Sequence, residues 1–404
     1  MVRGIAYLIH TFPLWTSTFI TDEVDILRRD GWTLRLFGVR PPREGEYPAD
    51  SARFLRETTY VFPVSAPRLL TRHVRMALSR PIAYFRTLWG ALTWGSLTTR
   101  NRLRTLIHFA EAVYLHSDLV RTGCRHLHVH FASGSATIAL FLNELTALSY
   151  SLTAHGTDMF VERVLLPQKI SHARFTRVGT RRNREYLAAL VSDDAARTIH
   201  VIPFGVDLRR ISPAAAPARH ETTLRLLSVG RLVWQKGQAT LLEACAHLRD
   251  AGLDFRLTVV GEGQERHALE GLRQTLGLAD LVDMPGAMTS TQVYEMYRQA
   301  DLFVLSSVSE GFGLVVVEAM ASELPVVTPA LPGMDEIVSD GEDGRVYPPG
   351  SSQDLASIIL ELARDPDGRK RMGQRGAEKA RRLFDNDVSV RRFAQLLGEV
   401  AASA

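Results

Sequence analysis

Cysteine, lysine and long apolar runs are what this 404-residue chain has least of. Its two cysteines, Cys124 and Cys245, lie far apart and flank no metal-ligand spacing. That excludes a disulfide framework and fits a reducing cytosol. No stretch approaches the roughly 20 uninterrupted apolar residues that a helix needs to span a bilayer, so no transmembrane segment is expected. The opening Met1–His10 carries one Arg and runs straight into Thr11-Phe12-Pro13, which is not the pattern of a secretory signal. Acidic residues are absent between Glu57 and Glu111, where Arg68, Arg72, Arg75, Arg80, Arg86, Arg100, Arg102 and Arg104 stand. Lysine occurs only as Lys169, Lys236, Lys370 and Lys379, so a lysine inside a motif carries information.

What is present is ordinary globular material, 46% apolar and 23% charged, enough for two or three domains with a core in each. The net charge of +4 conceals an asymmetry. Residues 1–210 hold 28 Lys and Arg against 17 Asp and Glu, whereas 211–404 hold 20 against 27. A basic half beside an acidic half points to two domains with different partners, one of them an anionic surface.

The C-terminal half alternates apolar runs with amphipathic segments. Strands are expected at Leu224–Gly230, Phe255–Gly261, Leu281–Met284, Asp301–Ser306 and Pro325–Pro329. Helices are expected at Lys236–Leu253, Gln264–Leu276, Ser290–Gln299 and Gly313–Ala321. Such alternation means a parallel sheet covered on both faces, with ligands bound beyond the carboxyl ends of its strands. The first half alternates less regularly, with strands at Ile5–Ile9, Thr33–Phe37, His126–Phe131 and Ser149–Thr153. Pro203–Thr223, rich in proline and alanine, reads as the crossing between two doubly wound domains, and no repeat of solenoid length occurs.

Two motifs follow C-terminal strands directly. Gly230-Arg231-Leu232-Val233-Trp234-Gln235-Lys236-Gly237 sets an Arg fork and a Lys point charge at a helix start, a pairing suited to a diphosphate. Ser309-Glu310-Gly311-Phe312-Gly313-Leu314 leads into a helix carrying Glu318. The glycines let backbone amides approach a ligand closely, and a carboxylate there can accept hydrogen bonds from sugar hydroxyls. Because Glu318 interrupts an apolar helix, it is expected to have a designated partner.

The Arg-x4-Lys-Gly and Glu-x7-Glu motifs, about 80 residues apart on one Rossmann-like domain, resemble the retaining glycosyltransferases of the GT-B fold, specifically glycosyltransferase family 4. The resemblance continues through Val260-Gly261-Glu262-Gly263, Pro325-Val326-Val327, Gly333–Val338, Asp340-Gly341 and Gly344. In the first half, Phe12-Pro13, Ser17-Thr18-Phe19-Ile20, His128–Phe131, Thr153-Ala154-His155-Gly156-Thr157-Asp158 and Gly205-Val206-Asp207 resemble the exopolysaccharide and lipid-linked saccharide branch. Where that branch often has Ser-Glu-Thr-Phe, this chain has Thr16-Ser17-Thr18-Phe19 and lacks the carboxylate.

The resemblance implies two Rossmann-like domains facing across a cleft. Residues 1–205 would bind the acceptor, 206–384 the nucleotide sugar, and the helix in 385–404 would return to the first domain. It implies hexosyl transfer at the cytoplasmic face of the membrane, from a nucleotide-diphosphate sugar to a saccharide or lipid-linked saccharide, with no metal and no other cofactor. Residue by residue, Gly230, Arg231, Lys236 and Gly263 fall to the donor and its diphosphate, and Glu318 to the ribose. Glu310, Gly311, Phe312, Gly313 and Leu314 fall to the transferred sugar and its phosphates. His155 would reach the sugar from the first domain, with Thr16, Ser17, Thr18 and Asp158 on the acceptor side. His155, Arg231, Lys236 and Glu310 would carry the chemistry. A nucleotide-sugar epimerase and a non-catalytic sugar-nucleotide-binding protein are the alternatives.

Other patterns are set aside. His126, His128 and His130 alternate along one strand face, but with no carboxylate or Cys cluster beside them they make a poor metal site. Asp385-Asn386-Asp387 precedes the helix Val388–Val400 and reads as its N-cap. Within the basic insertion, residues 58–110, Arg68, Arg72 and Arg75 fall within an arc of roughly 60° on a helix. Leu69, Leu70, Val74, Met76, Ala77 and Leu78 cover its remaining faces, and Tyr84, Phe85, Leu88, Trp89 and Trp94 add aromatic, amphipathic bulk. This composition suits an interfacial helix on anionic lipid headgroups or, equally, an Arg-faced helix packed on the sheet. No nucleic-acid motif accompanies the arginines.

Overall fold

Thirteen short strands form in a computed structural model that describes residues 4–94, 98–211 and 223–403. Positions 1–3, part of the expected crossing (212–222) and part of the basic insertion (95–97) lie outside the described residues. The chain divides into two compact units, Met1–Ile202 with Val390–Ala404, and Pro203–Ser389.

In the first unit the strands are β1 (Gly4–Thr11), β2 (Thr33–Arg40), β3 (Thr58–Tyr60), β4 (His126–His130), β5 (Ser149–Thr153), β6 (Thr176–Val178) and β7 (Ile199–Val201). They form one parallel sheet in the order β3-β2-β1-β4-β5-β6-β7. Strand periodicity sends Ala6 and Leu8 of β1 into one core, with Phe109, Ile138 and Phe141. Ile5, Tyr7 and Ile9 enter the opposite core, with Ile20, Val24 and Leu27 of the helix Thr18–Arg29. The last helix, Asn386–Ser403, joins this second core through Val390, Phe393 and Leu397. At its start the Asp387 N–H donates to Asp385 Oδ1 at 2.8 Å, a capping bond.

The second unit contains β8 (Leu224–Val229), β9 (Phe255–Val260), β10 (Val282–Gly286), β11 (Leu302–Val304), β12 (Val326–Pro329) and β13 (Arg345–Tyr347). They too are all parallel, in the order β10-β9-β8-β11-β12-β13. Both sheets reverse direction of growth beside their first strand, at β1/β4 and at β8/β11. Those are the switch points where a doubly wound sheet leaves a crevice for ligands. The helix expected from Lys236 starts later, at Gln238. Gly237 adopts a left-handed φ of +60° and separates it from the short turn Trp234–Lys236.

The basic insertion forms the helices Ala66–Ser79 and Pro81–Thr93, followed by Thr99–Thr122. Met76, Ala91 and Phe109 are buried in the first sheet's core. The expected arc of three outward arginines is incomplete. Arg72 turns inward, its Nη1 2.8 Å from Asp118 Oδ2 and its guanidinium over the Tyr114 ring. No helix of the described residues is long and apolar enough to cross a membrane.

Candidate functional site

The second unit assembles its candidate residues on three loops at the carboxyl ends of β8, β9 and β11. The first two loops are laced together. Leu232 N–H donates to the Glu262 carbonyl, and Glu265 N–H donates to the Leu232 carbonyl, both at 2.9 Å. A Cβ on Gly263 would stand 2.2 Å from that same carbonyl, so glycine is required for the loops to meet. Gly237 plays the equivalent part toward β11, where a Cβ would stand 2.1 Å from the Ser306 carbonyl.

This lacing delivers Lys236 to Glu310. Its Nζ donates to Glu310 Oε2 at 2.6 Å, and the Ser307 hydroxyl donates to the same oxygen at 3.0 Å. Both charged side chains are part-buried. Arg231 is exposed on the same loop, five residues before Lys236, while its own carbonyl accepts from Gln238 Nε2 at 2.9 Å. Gly313, with φ +95°, caps the helix Leu314–Ala321. Phe312 points away into the core, edge-on to Phe204 and Phe384, so the loop Gly311–Leu314 offers a ligand its backbone rather than that ring. Glu318 does have the partner its apolar setting demands: the Tyr297 hydroxyl donates to its Oε2 at 3.0 Å. Burial and that carboxylate together hold the Tyr297 phenol well above its ordinary pKa, so it stays a donor.

In the first unit, β4 and β5 pair with His126 opposite Ser149, His128 opposite Ser151 and His130 opposite Thr153. The period of two puts the three imidazoles on one face with three hydroxyls. His126 bonds Ser149 and Ser151, and His128 bonds Ser151 and Thr153, all between 2.8 and 3.0 Å. His130 ends this ladder between Glu23 Oε1 (3.1 Å) and His155 Nε2 (3.3 Å). Glu23 also accepts from the Tyr7 hydroxyl at 2.9 Å and from Arg177 Nη1 at 2.7 Å. None of these contacts joins sequence neighbours, and the motif reading missed Glu23, Tyr7 and Arg177 altogether.

One premise is thereby corrected. A carboxylate does accompany the histidines, because Glu23, His128 and His130 bring ligand-type atoms within 4.8 Å of one another. The atoms are already committed: both His128 nitrogens to hydroxyls, and His130 Nε2 to the Glu23 carboxylate. The arrangement is a satisfied hydrogen-bond ladder.

His155 lies just beyond β5 with its ring 4.8 Å from that of Phe19 and 4.5 Å from that of Phe131. Phe131 holds a left-handed φ of +68°, a conformation costly for an aromatic residue and maintained here by its surroundings. Burial above all, then the neighbouring His130 and Arg177, holds His155 well below the ordinary histidine pKa. It is therefore a neutral imidazole, able to donate from one nitrogen and accept at the other.

Two expected acceptor residues are spent on the protein itself. Asp158 is buried, and its carboxylate accepts from the N–H groups of Ala132 (2.7 Å), His155 (3.1 Å) and Gly156 (2.6 Å). Lys169 Nζ donates to the carbonyls of Ala132 and Ser133 from the other side, so the loop after β4 is held at both its donors and its acceptors. Ser17 is buried as well: its hydroxyl accepts from Leu14 N–H (2.8 Å) and donates to the Leu14 carbonyl. Thr16 is exposed and Thr18 is half-buried at the first turn of its helix. Ser17→Ala is expected to cost about 1 kcal/mol of stability with acceptor KM unchanged, read by thermal melting beside steady-state kinetics.

Comparison with known proteins bears on these two constellations together. Residues 214–379 match the family described as glycosyl transferases group 1. WcaL of Salmonella typhimurium, a glycosyltransferase assigned to colanic acid biosynthesis, is 26% identical over 97% of this chain and 99% of its own. AmsK of Erwinia amylovora, the amylovoran biosynthesis glycosyltransferase, is 27% identical over 68% of this chain and 70% of its own. Among solved structures, sucrose-phosphate synthase from Thermosynechococcus elongatus superposes over all of both chains with a TM-score of 0.76 at 21% identity. HepE of Anabaena, in complex with UDP-glucose, gives 0.72 at 17% identity over 98% of this chain and 99% of its own. Residues 214–379 therefore carry a group 1 glycosyl transferase domain, and the chain is a glycosyltransferase with the GT-B fold.

Proposed function

We propose that this glycosyltransferase moves a hexosyl group, with retention at the anomeric carbon and without a metal, from a nucleotide-diphosphate sugar to a saccharide or lipid-linked saccharide. The product is a cell-surface polysaccharide intermediate made at the cytoplasmic face of the membrane. The observation that carries this reading is the meeting of Lys236 and Glu310 at the β8/β11 switch point, with Arg231 on the same loop as Lys236. When the glycosidic bond to the diphosphate breaks, negative charge grows on the departing phosphate. Lys236, Arg231 and the backbone of Gly311–Leu314 are preorganised donors for that charge, which is the role a divalent ion plays elsewhere. Glu318, oriented by Tyr297, accepts from the ribose hydroxyls. Glu310 hydrogen-bonds the transferred sugar, and neutral His155 offers the sugar a hydrogen bond from the first domain. WcaL and AmsK supply the polysaccharide context, and HepE the precedent of a UDP sugar.

The test is a thermal-shift panel of UDP, GDP and ADP sugars in EDTA, followed by mass spectrometry and anomeric NMR of products on saccharide and lipid-linked acceptors. One base is expected to raise the melting temperature by a few degrees, as ligand linkage requires. Its sugar should be consumed only when acceptor is present, giving the donor's own anomer. Donor conversion without acceptor would make the protein an epimerase, and an absolute metal requirement would remove the proposed role of the cations.

A further inference from the structure

Two consecutive helices present an outer face opposite in character to that of an ordinary surface helix. Leu70, Val74 and Leu78 recur every fourth residue along Ala66–Ser79, and Ile82, Phe85 and Trp89 follow at helical spacing along Pro81–Thr93. All six are between 50 and 83% exposed. Single exposed apolar side chains are common, but six on one side of two adjoining helices are not. Nor can the helices be inside out, because each buries a separate inner face. Met76, Leu69, Ala91, Tyr84 and Leu88 pack on the core, and His73 Nδ1 meets the Tyr84 hydroxyl at 2.8 Å to tie the helices together.

The charge that residues 58–110 themselves contribute has one sign, although Arg72, Arg86 and Arg104 pair with Asp118, Glu144 and Glu162 from outside the segment. Arg68 and Arg75 are exposed on the first helix, at its border with the apolar stripe. Arg100 and Arg102 are exposed at the start of Thr99–Thr122, next to the equally exposed Leu103. None of these four arginines has an ion pair among the described residues. No carboxylate occurs anywhere in residues 58–110 to complement them. A second copy of the chain meeting this face would bring arginine against arginine. An anionic bilayer supplies both missing complements, an apolar layer for the stripe and phosphates for its border.

We infer that the outer faces of Ala66–Ser79 and Pro81–Thr93 dock the enzyme on an anionic membrane surface. Leu70, Val74, Leu78, Ile82, Phe85 and Trp89 enter the acyl boundary, and Arg68 and Arg75 meet the headgroups. Of the three arginines on the arc, Arg72 takes no part in the contact, since it is held by Asp118. The inference rests on the proposed function only in supplying the lipid-linked acceptor with a surface.

The test uses the whole chain without donor or acceptor, co-sedimented with vesicles of phosphatidylcholine alone or mixed with phosphatidylglycerol. Binding is expected on the mixed vesicles and to weaken with salt. The double variant Leu78→Glu/Trp89→Glu should bind at least about tenfold more weakly, because each change removes a largely exposed apolar anchor and adds a repelled charge. Arg68→Glu/Arg75→Glu should lose only the phosphatidylglycerol-dependent part. Both variants should keep the wild-type melting temperature and their turnover on a soluble acceptor. Equal sedimentation of variant and wild type would overturn the inference. So would a wild-type dimer, seen by sedimentation velocity without vesicles, that the Glu variants dissociate. Vesicle binding by a protein that transfers no sugar would instead defeat the proposed reaction and leave the docking face standing.

Discussion

Lys236→Ala is expected to lower kcat/KM for sugar transfer by about 10²–10³-fold, the loss typical when one preorganised donor to a developing oxyanion is removed. The effect should fall mainly on kcat, because the phosphate charge that Lys236 meets is largest after the glycosidic bond has begun to break. Folding should be nearly unaffected. The Lys236–Glu310 pair is part-buried at a loop, where such pairs contribute little, and Glu310 keeps the Ser307 hydroxyl at 3.0 Å. Lys236→Arg should recover only part of the rate. A guanidinium is a planar fork rather than a point charge, and the Gly237 turn leaves no slack to reposition it. Glu318→Ala, in contrast, should act mainly on the KM of the donor, since a ribose contact is equally present in ground and transition states. It also deprives the Tyr297 hydroxyl of its anionic acceptor, leaving the Val315 carbonyl at 3.2 Å. Unchanged turnover in both variants, each with wild-type melting, would remove the second unit's cluster from the reaction.

How much of this was legible depends on the reach of the interaction. β8, β9 and β11 are largely apolar runs whose following loops carry local motifs, so the strands and the candidate residues on those loops could be read from neighbours alone. The start of the helix after Lys236 could not, because it depends on a left-handed Gly237 fitted against the Ser306 carbonyl. β6 and β7 are only three residues each and carry too short a pattern to register. Tyr297 stands 21 residues from Glu318, yet only the packing of its helix against Leu314–Ala321 makes it that carboxylate's partner. Ser17 and Asp158 were legible as motif members but not as struts, since their partners are backbone groups whose positions the fold decides. The insertion was legible in composition but not in orientation. An arc of arginines can be computed from helical spacing, whereas the inward turn of Arg72 depends on Asp118, 46 residues away.

Glu23 is the extreme case, and it carries the largest expected effect on stability. Its carboxylate lies 107 residues from His130 and 154 from Arg177 in sequence, and all three side chains are buried. Burial by itself would raise the Glu23 pKa; His130, Arg177 and the Tyr7 hydroxyl pull it down instead, to about 2. Glu23→Ala is expected to destabilise the first unit by about 3–5 kcal/mol, because the buried Arg177 loses the carboxylate that it pairs with at 2.7 Å. For a unit of this size that is a drop in Tm on the order of 10 °C. Glu23→Leu combined with Arg177→Met should lose less than either change alone, since it removes both charges and keeps apolar volume against Phe393. The pH dependence has a fixed sign. The folded pKa is depressed, so the carboxylate's contribution is complete above the ordinary glutamate pKa of about 4.3 and drains away as pH falls toward 2. Wild type should therefore lose its advantage over Glu23→Gln between those limits, in thermal melts followed at each pH. Transfer should suffer as well. Glu23 and His155 contact the two ring nitrogens of His130 at 3.1 and 3.3 Å, so loss of the Glu23 carboxylate releases the ring that positions His155 in the proposed reaction. Equal melting temperatures for wild type and Glu23→Ala across that pH range would mean that Arg177 finds another anion, and the ladder would then lose its keystone role.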